Sequence, residues 1–224
     1  MKKIRICTYN IWHAELVKED VGAVGRALAE MGAEIVGLQE VDVGTARMNG
    51  MDTLAIIAEA GGYPYYAFSK ALDLGGGGYG TAILSRYPIE SFASFALPRS
   101  GDTEPRAYGH AVINVEGVRI DLINTHTSYE CVEARVPQFS ALAELCRDRS
   151  HLILTGDLNT EDLEELAVFE NLTTVNPKRF ASFYPRRIAI DHILLTDAFS
   201  CVDAQMPRLE MSDHYPVWAD VELS

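Results

Sequence analysis

The sequence predicts an α/β protein, a four-layer α/β/β/α sandwich in which two mixed β-sheets pack together with helices outside. Three observations point there: strand-patterned segments outnumber helical ones, helical segments recur in both halves, and no composition break or long linker divides the 224 residues. The surplus of strands favours two packed sheets over one doubly wound sheet. A chain of this length can bury one sizeable core and is short for two, so residues 1–224 are taken as a single domain.

Residues 4–9 alternate with period two and form a first strand, closed by Asn10. Asp20 can cap a helix over 20–31, with Val21, Val24, Leu28 and Met31 as its apolar stripe and Gly32 at its end. Residues 35–38 form a second strand that delivers Gln39 and Glu40, and a helix over 51–60 stops at Gly61 and Gly62. Short strands over 65–68 and 79–84 flank Gly75-Gly76-Gly77-Gly78, which lacks the Lys-Ser/Thr of a phosphate-binding P-loop and is assigned to a surface turn or mobile loop. Strands follow over 89–96, 108–115 and 118–125, the last two joined by a Glu116-Gly117 turn. Pro137 fits the first turn of a helix running to about residue 147, beginning with Arg135 and Gln138 nearby as scaffold. A buried strand over 151–155 ends in Gly156-Asp157-Leu158-Asn159, and strands over 189–195, 199–205 and 217–223 complete the chain.

Nineteen Lys plus Arg against 32 Asp plus Glu give a formal charge of −13. That balance disfavours stable nucleic-acid binding, which draws on clustered cations, although bound divalent ions can reverse a local field. A small-molecule or lipid-derived phosphate is the more natural substrate. Met1, Lys2 and Lys3 run into an alternating strand rather than a continuous apolar region, so no signal peptide is expected. No stretch approaches a membrane span of about 18–20 apolar residues. Cys7, Cys131, Cys146 and Cys201 lack metal-site spacing and fit reduced structural thiols. The expectation is a cytoplasmic monomer.

Polar residues interrupt the hydrophobic pattern at strand ends: Asn10, Glu40, Asn124 and His126, Asp157 and Asn159, Asp191 and His192, Asp213 and His214. Taken singly, each has an ordinary use as a turn residue, a cap, a solvated acid or a packed histidine. Capping alone does not explain so many at strand ends, where functional sites are commonly built. The chemistry suits phosphorus. Glu40 and Asp213 are hard oxygen ligands for Mg²⁺ or Mn²⁺, and Asn10 can add a neutral oxygen. Asp157 can orient or deprotonate water, Asn159 can donate to a phosphate oxygen, and His214 can stabilise phosphoryl oxygens if Asp191 fixes its ring. His192 follows Asp191 and so faces the other side of its strand.

The chain resembles the endonuclease/exonuclease/phosphatase superfamily, which has the DNase I-like fold. The matches are Thr8-Tyr9-Asn10-Ile11, Gln39-Glu40-Val41, Asn124-Thr125-His126, Gly156-Asp157-Leu158-Asn159, Ile190-Asp191-His192-Ile193 and Ser212-Asp213-His214-Tyr215-Pro216. The resemblance implies a hydrolase using one or two ions, with Glu40 as principal ligand helped by Asn10 and Asp213. It implies that Asp157 handles the water, Asn159 holds the phosphate, Asp191 pairs with His214, and His126 contacts phosphate or assists the leaving group. Glu104-Pro105-Arg106-Ala107-Tyr108 resembles the Pro-Arg before a central strand in small members, where the arginine can reach the phosphate, which makes Arg106 a phosphate contact; Tyr108 can line the pocket or simply pack in the sheet.

The expected reaction is in-line displacement by water on a phosphodiester or phosphomonoester. A Mg²⁺-dependent nuclease is the alternative, and a non-catalytic binding module is disfavoured because the catalytic set is present. Lys178, Arg179, Arg186 and Arg187 can line a phosphate-rich groove, and Phe180, Phe183, Tyr184 and Pro185 can form an apolar platform.

Overall fold

Two six-stranded sheets face one another, each built around one parallel pair joined by a helical crossover. In the computed structural model, which describes residues 3–176 and 178–223, Met1, Lys2, Pro177 and Ser224 lie outside the described residues. Strand β1 (Lys3–Asn10) passes through α1 (Gly22–Glu30) to the parallel β2 (Ile35–Val43). Helix α2 (Thr53–Gly61), β3 (Tyr65–Leu74) and β4 (Gly77–Ser85) follow. The second sheet opens with β5 (Ile89–Ala96), β6 (Ala107–Val115) and β7 (Val118–His126), and α3 (Val132–Cys146) carries the chain to the parallel β8 (Leu152–Asp157). After α4 (Leu163–Leu166), β9 (Thr173–Thr174) and β10 (Asp191–Leu195) finish that sheet, while β11 (Phe199–Gln205) and β12 (Val217–Leu223) return to the first. The strand orders are β11-β12-β1-β2-β4-β3 and β5-β6-β7-β8-β10-β9, and all other pairings are antiparallel.

Period-two alternation sorts the apolar residues into layers. Along β1, Ile4 and Ile6 enter the core between the sheets, whereas Cys7 and Tyr9 pack outward under α1 and α2. The second sheet does the same: Leu122 joins the inter-sheet core and Ile123 packs with Phe139 and Leu142 of α3. Fully burying one such side chain is worth about 1.5–3 kcal/mol. These three apolar layers lie between four layers of structure, as the strand and helix pattern predicts.

The sheets approach closely across Gly37 of β2. A Cβ there would fall 2.3 Å from Thr155 Oγ1 and 2.4 Å from Asn124 Oδ1. The space is taken by Asn124, whose Nδ2 donates to the Leu38 and Ala82 carbonyls at 2.8 and 2.9 Å. Its Oδ1 accepts from Gln39 Nε2 at 2.7 Å and Thr155 Oγ1 at 3.1 Å. This saturated buried amide joins the sheets just below the ends of β1 and β7.

Three local expectations need correction. Asp20 does not cap α1, which begins at Gly22; Asp20 pairs with Arg26 at 2.5 Å instead, after 3-10 turns over Trp12–Asp20. The four glycines are not one loop: Gly75 and Gly76, at φ 53° and 86°, make a hairpin turn, and Gly77 and Gly78 already belong to β4. Pro137 lies inside α3 rather than in its first turn, because the helix starts upstream at Val132. All four cysteines are free, and among the described residues no helix is long and apolar enough to cross a membrane.

Candidate active site

Strand ends from both sheets converge on one cleft of about 480 Å³. Strand pairing sets His126 at the end of β7 and Asp191 at the start of β10 on either side of Asp157, directly opposite it in each ladder. Residues opposite one another project to the same face, so three neighbouring strands bring these groups together. Glu40 arrives by another route. The register of β2 against β4 shifts between Leu38 and Val41, and Glu40 adopts a left-handed backbone at φ 57°. A bulge of this kind re-aims a side chain: Gln39 is buried against Asn124 while Glu40 lines the cleft. Ser212 holds the last segment, its Oγ donating to the Asn10 carbonyl at 2.8 Å and accepting the His214 N–H at 3.2 Å.

Asn10 connects the acids. Its Nδ2 donates to Glu40 Oε1 and Asp157 Oδ2, both at 3.0 Å, and its Oδ1 accepts the Trp12 N–H at 3.0 Å. Asp157 Oδ1 accepts the Asn159 N–H at 3.0 Å, and Asn159, at φ 51°, donates its Nδ2 to the Thr127 carbonyl at 3.0 Å. His214 Nδ1 meets Asp191 Oδ2 at 2.7 Å, which leaves its Nε2 3.7 Å from Asp157 Oδ2. Phe183 packs on the His214 ring with centroids 4.9 Å apart. Arg106, only 4% exposed, places Nη1 2.9 Å from His126 Nδ1 and 2.9 Å from Glu104 Oε1. Guanidinium only donates, so His126 Nδ1 accepts and its proton sits on Nε2, 3.4 Å from Asp157 Oδ2.

The electrostatics divide the two histidines. Burial opposes the charged form of His214, but Asp191, Asp157 and Asp213 raise its pKa to about 10 and keep it protonated. Burial and the Arg106 cation push His126 well below its ordinary value and keep it neutral. Burial and Asp191 raise Asp157 to about 7 against the pull of His214. Burial would also raise Glu40, but its polar neighbours, the Asn10 amide and the His214 cation among them, bring it down to about 2. Asp213 is raised, by burial first and by Glu40.

The donor set suits a hard divalent cation, with the Glu40 and Asp213 carboxylates in the cleft wall and no cysteine among its lining residues. Donor atoms of Asp157, Asp191 and His214 also lie within 4.8 Å of one another, near enough to hold an ion. Two of these groups are already committed to each other through the 2.7 Å His214–Asp191 bond, which suits proton handling better than ligation.

A family model for the endonuclease/exonuclease/phosphatase family matches residues 7–214. The chain belongs to that family. It is therefore a metal-dependent phosphoester hydrolase with the DNase I-like fold. A search by sequence among curated proteins finds no match. Solved structures match in fold. One is an endonuclease/exonuclease/phosphatase from Beutenbergia cavernae, with TM-score 0.82, 20% identity, and coverage of 100% of this chain and 72% of that one. Another is a mannosyl-6-phosphatase of Bacteroides thetaiotaomicron, with TM-score 0.72, 20% identity, and coverage of 98% and 100%. A third is D. rerio TDP2 complexed with a single-stranded DNA product, with TM-score 0.77, 15% identity, and coverage of 99% and 100%.

Within this family framework, the structure gathers Glu40, His126, Asp157, Asn159, Asp213, His214 and Arg106 in the cleft wall, with Asn10 and Asp191 bonded directly behind them. Tyr108 is not there. It pairs with Thr125, one residue out of step with His126, so it faces outward, stacks on Phe95 at 5.2 Å and packs under α3. Asn10 presents N–H rather than oxygen to the carboxylates, its oxygen being taken by Trp12, so in this orientation it positions acids instead of supplying a ligand oxygen. His192 turns away to the Thr160 carbonyl at 2.9 Å. Of the basic and aromatic segment, Phe183 and Arg186 reach the cleft, Phe180 is in the core, and Tyr184 stacks on Tyr215. The sequence reading missed His13, Arg47, Leu72, Tyr79, Glu104 and Tyr129 in the wall.

Proposed function

We propose that the enzyme hydrolyses the phosphoester of a small or lipid-derived phosphate by in-line attack of water, with residues 1–224 acting as one catalytic unit. The walled cleft of about 480 Å³ carries this reading, a size that holds a small molecule. Leu72 and Leu74 of β3 and Phe183 and Ile188 give it sides that a bare duplex-binding surface does not need. The −13 charge supports the same preference.

Glu40 and Asp213 would hold Mg²⁺ or Mn²⁺, and the ion would polarise a phosphate oxygen and offset developing charge. Asp157, at about 7, can orient the water and take its proton near neutral pH. Protonated His214, held by Asp191, would donate from Nε2 to a phosphoryl oxygen, with Asn159 as a second donor. His126 is suited to donate a hydrogen bond from Nε2 as a neutral imidazole, with Arg106 supplying the nearby positive charge.

A nuclease reading has one observation in its favour: Arg186 lies in the cleft wall. Metal-dependent product release decides between the two. The panel holds sugar phosphates, inositol phosphates, sphingomyelin, a simple phosphodiester, and single- and double-stranded DNA. Selective turnover of a small or lipid phosphate, abolished by EDTA and by Asp157→Ala, is the expected result. Selective cleavage of DNA with no small-substrate turnover would replace this reading with the nuclease.

A further inference from the structure

The turn after β1 is built at a conformational cost. Trp12, His13 and Ala14 have successive φ values of 44°, 41° and 57°, and each left-handed non-glycine residue costs about 1–2 kcal/mol. The surroundings impose the conformation. Ile11 and Ala14 are fully buried, the Trp12 N–H is fixed on Asn10 Oδ1, and the Ala14 N–H bonds the Ile11 carbonyl at 2.8 Å. Strain that is held this firmly collects at functional positions. Its effect here is to put the His13 ring into the cleft wall beside Glu40.

His13 Nδ1 is buried and has no hydrogen-bond partner. It lies 3.8 Å from Glu40 Oε2, too far for a hydrogen bond. On the far side of the ring, Nε2 lies 3.5 Å from Glu15 Oε2, and the Trp12 ring meets the imidazole edge-on at 5.9 Å. Two donors on one cation, with bonds of about 2.1 Å at angles of about 90–130°, stand about 3–4 Å apart. A carboxylate behind the imidazole is the usual means of fixing a ligating histidine's tautomer, and a proton on Nε2 toward Glu15 leaves the Nδ1 lone pair free. Imidazole suits zinc-, iron- and nickel-class cations, and replacing an oxygen donor by nitrogen penalises Mg²⁺, which prefers oxygen and keeps its water, more than it does Mn²⁺.

We propose that His13 joins Glu40 as a nitrogen ligand, oriented by Glu15, and biases the ion site toward transition metals over Mg²⁺. This rests on Glu40 being the carboxylate ligand, and the experiment separates the two statements. Binding of Mn²⁺ alone and Mg²⁺ alone is measured by calorimetry for the wild type, His13→Asn, Glu15→Gln and Glu40→Gln. Asparagine tolerates the left-handed backbone. Electron spin-echo spectroscopy of the Mn²⁺-loaded wild type then reports nitrogen ligation directly. His13→Asn is expected to weaken Mn²⁺ binding by about 10–100-fold and Glu15→Gln to weaken it in the same direction, with Mg²⁺ binding changed by less than about threefold. A histidine ¹⁴N coupling is expected in the wild type. A wild type without that coupling, or His13→Asn with unchanged Mn²⁺ affinity, overturns the assignment of His13 while Glu40 stands. Should Glu40→Gln bind both metals as the wild type does, the ligand role of Glu40 fails first. Should His13→Asn not fold, absence of the coupling in the wild type still overturns the assignment, and a coupling together with weakened Mn²⁺ binding in Glu15→Gln, the carboxylate beside His13 alone, supports it.

Discussion

Arg5 and Asp220 face each other across β1 and β12, in the same sheet whose other end carries Asn10 and Glu40. Arg5 donates through Nε and Nη2 to the two Asp220 oxygens at 2.8 and 2.9 Å, lies 3.7 Å over the Trp218 ring, and gives Nη1 to the Met31 carbonyl at 2.5 Å. Lys3 approaches the same carboxylate at 3.0 Å. Hydrogen bonding to Arg5, aided by Lys3, holds Asp220 below its ordinary pKa. In the cleft, Glu40, Asp157, Asp191 and Asp213 crowd around the protonated His214. Burial and Asp191 drive Asp157 upward, and Asp191 Oδ1 is buried without a partner. A bidentate pair with a further bond to a backbone carbonyl contributes to stability, whereas a surplus of buried acid suits a site completed by a cation and a substrate.

The largest expected break between these networks is in activity. Asp157→Ala or His214→Ala should lower kcat by about 10²–10⁴-fold in metal-loaded enzyme. Asp157→Ala also removes an acid from an acid-rich cluster, so urea denaturation of the metal-free protein should show a stability change of less than about 1 kcal/mol. Unchanged turnover in both folded variants would overturn their catalytic roles. A large loss of stability in Asp157→Ala would make its cluster structural and erase the contrast.

Asp220→Ala should behave in the opposite way. It leaves a partly buried guanidinium without its bidentate partner, at an expected cost of about 1–3 kcal/mol by urea denaturation. Turnover should be unaffected. If instead kcat falls in step with stability, the two ends of the sheet are coupled and cannot be treated as separate networks.

What could be seen in the sequence follows from which interactions are local. Period-two alternation marked most strands, since facing one way or the other is decided residue by residue along each. The ordered motifs marked the cleft residues because they sit at strand ends, which the same alternation locates. Side-chain direction was harder to see. Tyr108 and Arg106 are two residues apart, yet only the register of β6 against β7 shows that Tyr108 faces α3. Glu40 and His13 reach the cleft through left-handed backbone, which neither alternation nor residue type announces. Leu72 and Tyr79 join the wall from strands distant in sequence from the motifs, placed by the β2–β4 and β3–β4 pairings, and Arg47 is held there by its two bonds to the Asp42 carboxylate. Asn124 shows the converse: its motif was recognised, but its side chain points between the sheets and joins them.

The smallest expected effect is in the pH dependence of stability, and it tests the Arg5–Asp220 side alone. Asp220 has a folded pKa below its unfolded value of about 4. Between those two values the unfolded chain binds more protons than the folded one, so stability rises with pH across that window. The contribution is fully present above pH ~4 and is lost as pH falls through the folded value. Replacing the carboxylate in Asp220→Asn removes this linkage and leaves the other carboxylates in place. Denaturation midpoints of the wild type and Asp220→Asn should therefore differ most above pH ~4 and converge as the pH is lowered further. The exposure of Lys3, 52% at its side chain, keeps its part of the effect small and sensitive to salt. A gap that stays constant down to the lowest pH at which both fold would mean that the Asp220 charge contributes nothing and that packing against Trp218 supplies the stability of this corner.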